Sequence, residues 1–241
     1  AIHAKKIISN ISHFDEKFES EGNKFYDKYL KYLIKINKDI DYSIDCYLKM
    51  IEDVIIIHLH ELTLKGKNRS WFEKTLIANL KKHLYNLPYK QIKLTSGRIF
   101  ITEINQDLWE KYRQVLKCVI GIRNFILTKK TLLDINTIKN KSLICCQSLN
   151  ISGSFRVSAR RQNKNFEYST REINMIVGEH IQKNTGFNVN LSSPDINIII
   201  EIVNNDAFIG AIKVNAFGGL PVGTGESALS LISSGIDSPV A

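Results

Sequence analysis

The sequence lacks the marks of several large protein classes. No apolar run in its 241 residues reaches the roughly 20 needed to cross a bilayer. The opening residues, Ala1-Ile2-His3-Ala4, contain no apolar h-region, so no secretory signal is expected. Four cysteines are present, Cys46, Cys118, Cys145 and Cys146, and none forms a CxxC pair. That excludes the usual zinc-ribbon and dithiol motifs and points to reduced thiols in a reducing compartment. His58 and His60 share an i, i+2 spacing, but no third ligand is nominated, so no metal site is expected. There is no internal repeat, and residues 217–226 form the one Gly/Pro-rich connector.

Acidic residues are scarce where it matters. Residues 51–150 carry 17 Lys and Arg against 8 Asp and Glu, whereas residues 1–50 are almost balanced, with 9 against 8. A basic excess confined to the middle of a chain suits either an RNA-binding module or a lysine-rich soluble surface.

Residues 1–50 show little clean periodicity beyond a helical stretch near 21–36, and read as an extension. From 53 the pattern sharpens. Residues 54–59 form a short β-branched run, a buried-strand candidate. Ser70-Trp71-Phe72-Glu73 reads as a capping box opening a helix with Phe72, Leu76, Leu80 and Leu84 on one face. Residues 91–94 and 98–103 flank Thr95-Ser96-Gly97, a hairpin. Residues 107–116 read as a second helix and 122–128 as another strand. This β-α-β-β-α-β order is that of a ferredoxin-like split βαβ unit.

A second segment follows from 129. Residues 137–149 read as a helix. Residues 154–160 alternate, with Phe155, Val157 and Ala159 on one face and Arg156, Ser158 and Arg160 on the other. Ser169-Thr170-Arg171-Glu172 is a second capping box, whose helix turns Ile173, Ile176, Val177 and Ile181 inward and stops near Gly186. Residues 196–203 and 207–214 are apolar strands joined through Asn204-Asn205-Asp206.

Three sets of residues bear on chemistry. Lys65, Lys67 and Arg69 surround the flexible Gly66, and suit either RNA phosphates or a solvated turn; the Arg69 fork can grip a phosphate bidentately. Arg156, Arg160, Arg161 and Lys164 form a second basic group, with Phe166 and Tyr168 behind them for core packing or base stacking. Leu231-Ile232-Ser233-Ser234-Gly235-Ile236-Asp237-Ser238 reads as a strand end running into a small-residue phosphate loop.

That loop is similar to the SGGxDS pattern of PP-loop pyrophosphatases. With Glu61-Leu62-Thr63-Leu64-Lys65-Gly66-Lys67-Asn68-Arg69 and Gly218-Gly219-Leu220-Pro221-Val222-Gly223 it resembles the ThiI family of tRNA 4-thiouridine synthetases, over residues 51–241. The resemblance implies an α+β chain. Residues 1–50 would be an extension, 51–128 a ferredoxin-like domain, 129–217 a THUMP α/β domain, and 218–241 a linker with the first strand and loop of a PP-loop ATP pyrophosphatase domain.

On this resemblance the catalytic domain is only begun, its catalytic residues are not assigned, and the fragment alone is inactive. It implies ATP held by Leu231, Ile232, Ser233, Ser234, Gly235, Asp237 and Ser238, with Asp237 orienting the backbone or a Mg²⁺ ion. It implies tRNA on the two basic sets, and the acceptor end facing the THUMP-like part. The intact enzyme would adenylylate uridine O4 and take sulfur from a cysteine desulfurase as a persulfide. It would serve thiamine thiazole synthesis too, form a homodimer, bind no membrane, and work in the cytoplasm or in an organelle of a eukaryote. Ser234 stands where the family has glycine, a departure costing about 1 kcal/mol if φ is positive. It lends weight to the alternative, a stand-alone THUMP-type RNA-binding module with a vestigial PP-loop.

Overall fold

In the first half, apolar residues alternate along β1 (Asp53–Leu59) so that Ile55 and Ile57 face one way and Val54 and Ile56 the other. All four are buried, so both sides of the strand are covered. The computed structural model describes residues 52–59, 68–149, 151 and 153–226. The expectations for residues 1–50, for Lys65 and Lys67, and for the loop 231–238 lie outside the described residues.

β1 leads to α1 (Arg69–His83), the hairpin β2 (Gln91–Thr95) and β3 (Arg98–Thr102), α2 (Trp109–Lys117) and β4 (Ile122–Leu132). The strands lie in the order β2-β3-β1-β4, antiparallel throughout, the layout of a ferredoxin-like βαββαβ unit. Ser96 and Gly97 both have positive φ (52° and 72°), the mirror-image turn that matches hairpin twist. Ile55, Ile57, Ile99, Ile101 and Phe125 form a core with Phe72, Leu76 and Leu80 of α1 and Tyr112 and Leu116 of α2.

Helix α1 departs from expectation at its start. Ser70 lies inside the helix; the cap position is Asn68, and no side chain caps it. A residue already in helical conformation cannot adopt the extended backbone of a capping serine. Glu73 instead accepts a hydrogen bond from Arg69 Nε at 2.7 Å, one turn back.

The second half continues the same sheet. It comprises α3 (Ile135–Gln147), β5 (Ser154–Arg161), α4 (Thr170–Thr185), β6 (Asn188–Val189), β7 (Ile196–Val203), β8 (Asp206–Gly210) and β9 (Lys213–Asn215). The full order is β2-β3-β1-β4-β8-β7-β5-β6, with β9 also on β4. β5 runs parallel to β7, and β7 and β8 form an antiparallel hairpin. The box opening α4 is complete: Ser169 Oγ accepts from the Glu172 amide, and the Glu172 carboxylate accepts from the Ser169 amide. Phe155, Val157, Ile198 and Ile200 pack beneath Ile138 of α3 and Ile173, Val177 and Ile181 of α4.

Residues 207–214 divide into two strands rather than one. Both parts pair with β4, at different places: β8 with Lys129–Leu132 and β9 with Asn124–Ile126. Gly210 lies at the break, where a Cβ would come within 2.4 Å of the Leu127 carbonyl oxygen. Opposite the helices, Val54, Ile56 and Phe100 of the first half meet Val203 and Phe208 of the second. This third core draws the helix-free faces of the two halves together.

The chain then returns to the first half. Gly121 donates to the Gly218 carbonyl and Gly218 to that of Ile122, and Asn79 Nδ2 donates to the Val222 carbonyl at 2.9 Å. Leu220 packs against the first core. Residues 213–222 thus form a strap that completes the ferredoxin-like half from a distance.

Gly121 is where the strap is most sensitive. It has φ +104°, and a Cβ there would stand 3.1 Å from both Leu76 Cδ1 and Pro221 Cγ. We expect Gly121→Ala to cost on the order of 1–3 kcal/mol. Thermal unfolding should show a melting point lower by roughly 3–10 °C, and an unchanged value would mean that the strap does not bear on the core.

Candidate nucleic-acid interface

The helix-free face carries a groove of about 570 Å³ where the two halves approach. Among the described residues its lining includes Arg69, Arg98, Arg123, Arg160 and Lys213, with His58 and Asn124, and no Asp, Glu, Phe, Tyr or Trp. Arg69 comes from the start of α1, Arg98 from the first position of β3, Arg123 from β4, Arg160 from β5 and Lys213 from β9. Arg123, Arg160 and Lys213 are exposed. Five cations converging on one concavity make an anion site.

A buried carboxylate lies beneath this surface. Glu201, in the middle of β7, is 1% exposed. Its Oε1 stands 2.6 Å from His58 Nε2 and its Oε2 2.5 Å from Arg98 Nε. His58 Nδ1 is 2.8 Å from Asn124 Oδ1. Sheet register explains the grouping: His58 is directly opposite Arg98 on β3 and Asn124 on β4, and Arg160 is level with Glu201 on β5. Burial pushes the Glu201 carboxyl up, but its bond to His58 and the charges of His58 and Arg98 outweigh this and hold it below the usual carboxylate range. Burial, together with Arg160, Arg123 and Arg156, pushes the Lys213 ammonium down, with Glu201 opposing.

Of the residues singled out in the sequence, Arg69 and Arg160 meet in this groove. Arg156 shares the Arg160 face of β5, and its guanidinium donates to the Leu191 carbonyl at 3.1 Å. Arg161 points the other way and donates to the carbonyls of Phe166 and Tyr168 at 2.8 and 2.9 Å, securing the loop that carries the exposed Lys164. The rings of Phe166 and Tyr168 lie 5.6 Å apart against the second core, the packing role of the two considered. Among the described residues no cluster of His, Cys, Asp or Glu could hold a metal ion, and no helix is long and apolar enough to cross a membrane.

Arg98, Arg123, Lys213 and Glu201 escaped sequence reading. The available signal was Glu201: a lone carboxylate inside the run Ile-Asn-Ile-Ile-Ile-Glu-Ile-Val must have a cationic partner if it is buried.

Comparison with known proteins agrees with this architecture. The ThiI ferredoxin-like domain matches residues 54–125 and the THUMP domain residues 134–211. A "probable tRNA sulfurtransferase" of Geobacillus kaustophilus HTA426 is 39% identical over 191 residues, 78% of this chain and 47% of the relative. One of Levilactobacillus brevis ATCC 367 is 36% identical over 189 residues, 78% and 46% respectively. Among solved structures, a 4-thiouridine synthetase–RNA complex with bound ATP aligns with a TM-score of 0.66 at 33% identity, over 78% of this chain and 48% of that one. PH1313 from Pyrococcus horikoshii OT3 aligns with a TM-score of 0.65 at 33% identity, over 71% and 58%. The chain spans about half the length of the curated relatives it matches.

A carboxyl whose native pKa lies below its unfolded value stabilises the fold above the ordinary carboxylate range, and that stability is lost as pH falls through the native value. Glu201→Gln, which strips Arg98 and His58 of their charged partner, should cost on the order of 3 kcal/mol at neutral pH. Melting curves of both proteins should converge as pH falls from the ordinary carboxylate range through the lowered native value of Glu201. A gap that stays undiminished all the way to acid unfolding would show that the Glu201 charge is not what stabilises the groove.

Proposed function

The chain joins a ThiI ferredoxin-like domain to a THUMP domain, and from that premise we propose that it is the tRNA-binding part of an ATP-dependent tRNA sulfurtransferase that makes 4-thiouridine. The observation that carries the reading is the groove itself. Its five cations come from both domains, so the site exists only where they are joined, and it suits a folded polyanion that touches both. The similarity to a 4-thiouridine synthetase–RNA complex with bound ATP supports the same substrate class.

In this reading the groove fixes the RNA backbone and leaves the uridine to a following domain. Arg69 and Arg98, with planar forks, orient phosphates; Arg123, Arg160 and Lys213 add charge. Arg156 and Lys164 extend the basic track, while Arg161 holds the Lys164 loop; Lys65 and Lys67, just ahead of Arg69 in the chain, are further cations of the sequence for RNA phosphates. The sequence of Leu231, Ile232, Ser233, Ser234, Gly235, Asp237 and Ser238 supports ATP binding there, with Mg²⁺ on the phosphates. Uridine O4 is then adenylylated by ATP with release of pyrophosphate; the outer sulfur of a persulfide delivered by a cysteine desulfurase displaces AMP at C4, and a second thiol cleaves the resulting disulfide to leave the 4-thio group. The same sulfur transfer would feed thiamine thiazole synthesis.

The 241-residue chain should bind an unmodified tRNA transcript with steep salt dependence, each neutralised phosphate adding about 0.7–0.9 to the slope of log K against log salt. Reversing Arg160 and Lys213 together (R160E/K213E) should weaken binding at least tenfold and flatten that slope by about 1.5. Both side chains are exposed, so melting should stay near the parent value. Filter binding across a salt series decides it: a salt-independent affinity, or a variant that binds like the parent, would rule out this groove as the RNA site.

A further inference from the structure

We propose that Glu201 is a positioning residue for RNA binding, acting through Arg98: the THUMP half supplies the carboxylate that aims an arginine of the ferredoxin-like half into the groove. This rests on the reading that the groove takes RNA. The geometry is specific. Arg98 Nε lies 2.5 Å from Glu201 Oε2 as an ion pair whose N–H is not aligned as a hydrogen bond, and Arg98 Nη1 donates to the Ser96 carbonyl at 3.2 Å. One charge contact and one hydrogen bond restrain the guanidinium of a side chain that lines the groove. His58, between Glu201 and Asn124, closes the frame from the opposite strand. The Arg98 side chain is only 19% exposed and that of Glu201 2%, so solvent screens this pair little.

A negative charge lies directly beneath a cationic groove. If Glu201 mattered only as charge, it would oppose RNA, and removing it would tighten binding. If it positions Arg98, removing it costs a well-aimed phosphate contact, and binding weakens although the groove has become more positive. The two roles predict opposite signs.

The experiment measures binding of an unmodified tRNA transcript to the 241-residue chain and to Glu201→Gln, Arg98→Gln, their double variant and Arg98→Lys, with circular dichroism confirming that each is folded at the temperature used. We expect E201Q to bind at least fivefold more weakly, with a salt slope flatter by about 0.7–0.9. In the R98Q background E201Q should add little, because both lose the same contact. R98K, which keeps the charge but not the fork, should lose affinity nearly as far as R98Q. Binding by E201Q as tight as or tighter than the parent, additive losses, or an R98K chain that binds normally would each overturn the proposal. Should R160E/K213E weaken binding while E201Q does not, only the positioning role fails. Should the parent itself bind no tRNA, the groove reading fails first.

Discussion

β4 is the member on which the rest of the molecule depends. Its eleven residues serve two domains at once. Ile122–Lys129 pairs with β1, Lys129–Leu132 with β8, and Asn124–Ile126 also with β9. Because one unbroken strand belongs to both halves, hydrogen bonding along its backbone fixes their relation, where a flexible linker would leave it free. Its residues are committed accordingly: Phe125 to the first core, Asn124 to the His58 frame, and Thr128, whose hydroxyl donates to the Val54 carbonyl, to β1.

From that rigidity follows the electrostatics of the groove. Like charges brought together repel, and a surface with Arg69, Arg98, Arg123, Arg160 and Lys213 stays folded only if the scaffold opposes the repulsion. Two carboxylates do so without entering the groove lining: Glu73 on Arg69, and Glu201 on Arg98 and His58. Burying such groups is costly unless each is paired and hydrogen-bonded. The cost is borne by the third core around Val54, Ile56, Phe100, Val203 and Phe208, which holds the two helix-free faces together. Apolar contact and buried ions thus work on one surface, the first supplying adhesion and the second setting which way the cations point.

Local chemistry made much of the fold legible in the sequence. The β-α-β-β-α-β order, the turn at Ser96-Gly97, the box at Ser169 and Glu172, and the inward faces of β5 and α4 all depend on residues within a few positions of one another. Where the structure departs from local pattern, the cause is a competing or distant pairing. Ser70 satisfied a spacing rule, but a competing i, i+4 pair drew Glu73 to Arg69. Residues 207–214 read as one apolar strand because apolarity does not record that two stretches of β4 compete for them. Arg98, Arg123 and Lys213 looked unremarkable singly. They meet only because the sheet order sets β3, β4 and β9 side by side, and register between strands far apart in the chain leaves no local trace.

The strap that brings residues 213–222 back onto β4 and α1 makes the second half a guest within the first. A pull applied between residue 52 and residue 224 would travel along β1, across its ladder to β4, and out through β9 and the Gly121–Gly218 pair. The THUMP half lies off that line. Motion or tension arising in whatever the chain is joined to at either side would be carried by the ferredoxin-like half, and the strands bearing Arg160 and Glu201 would feel it only where β4 passes it on.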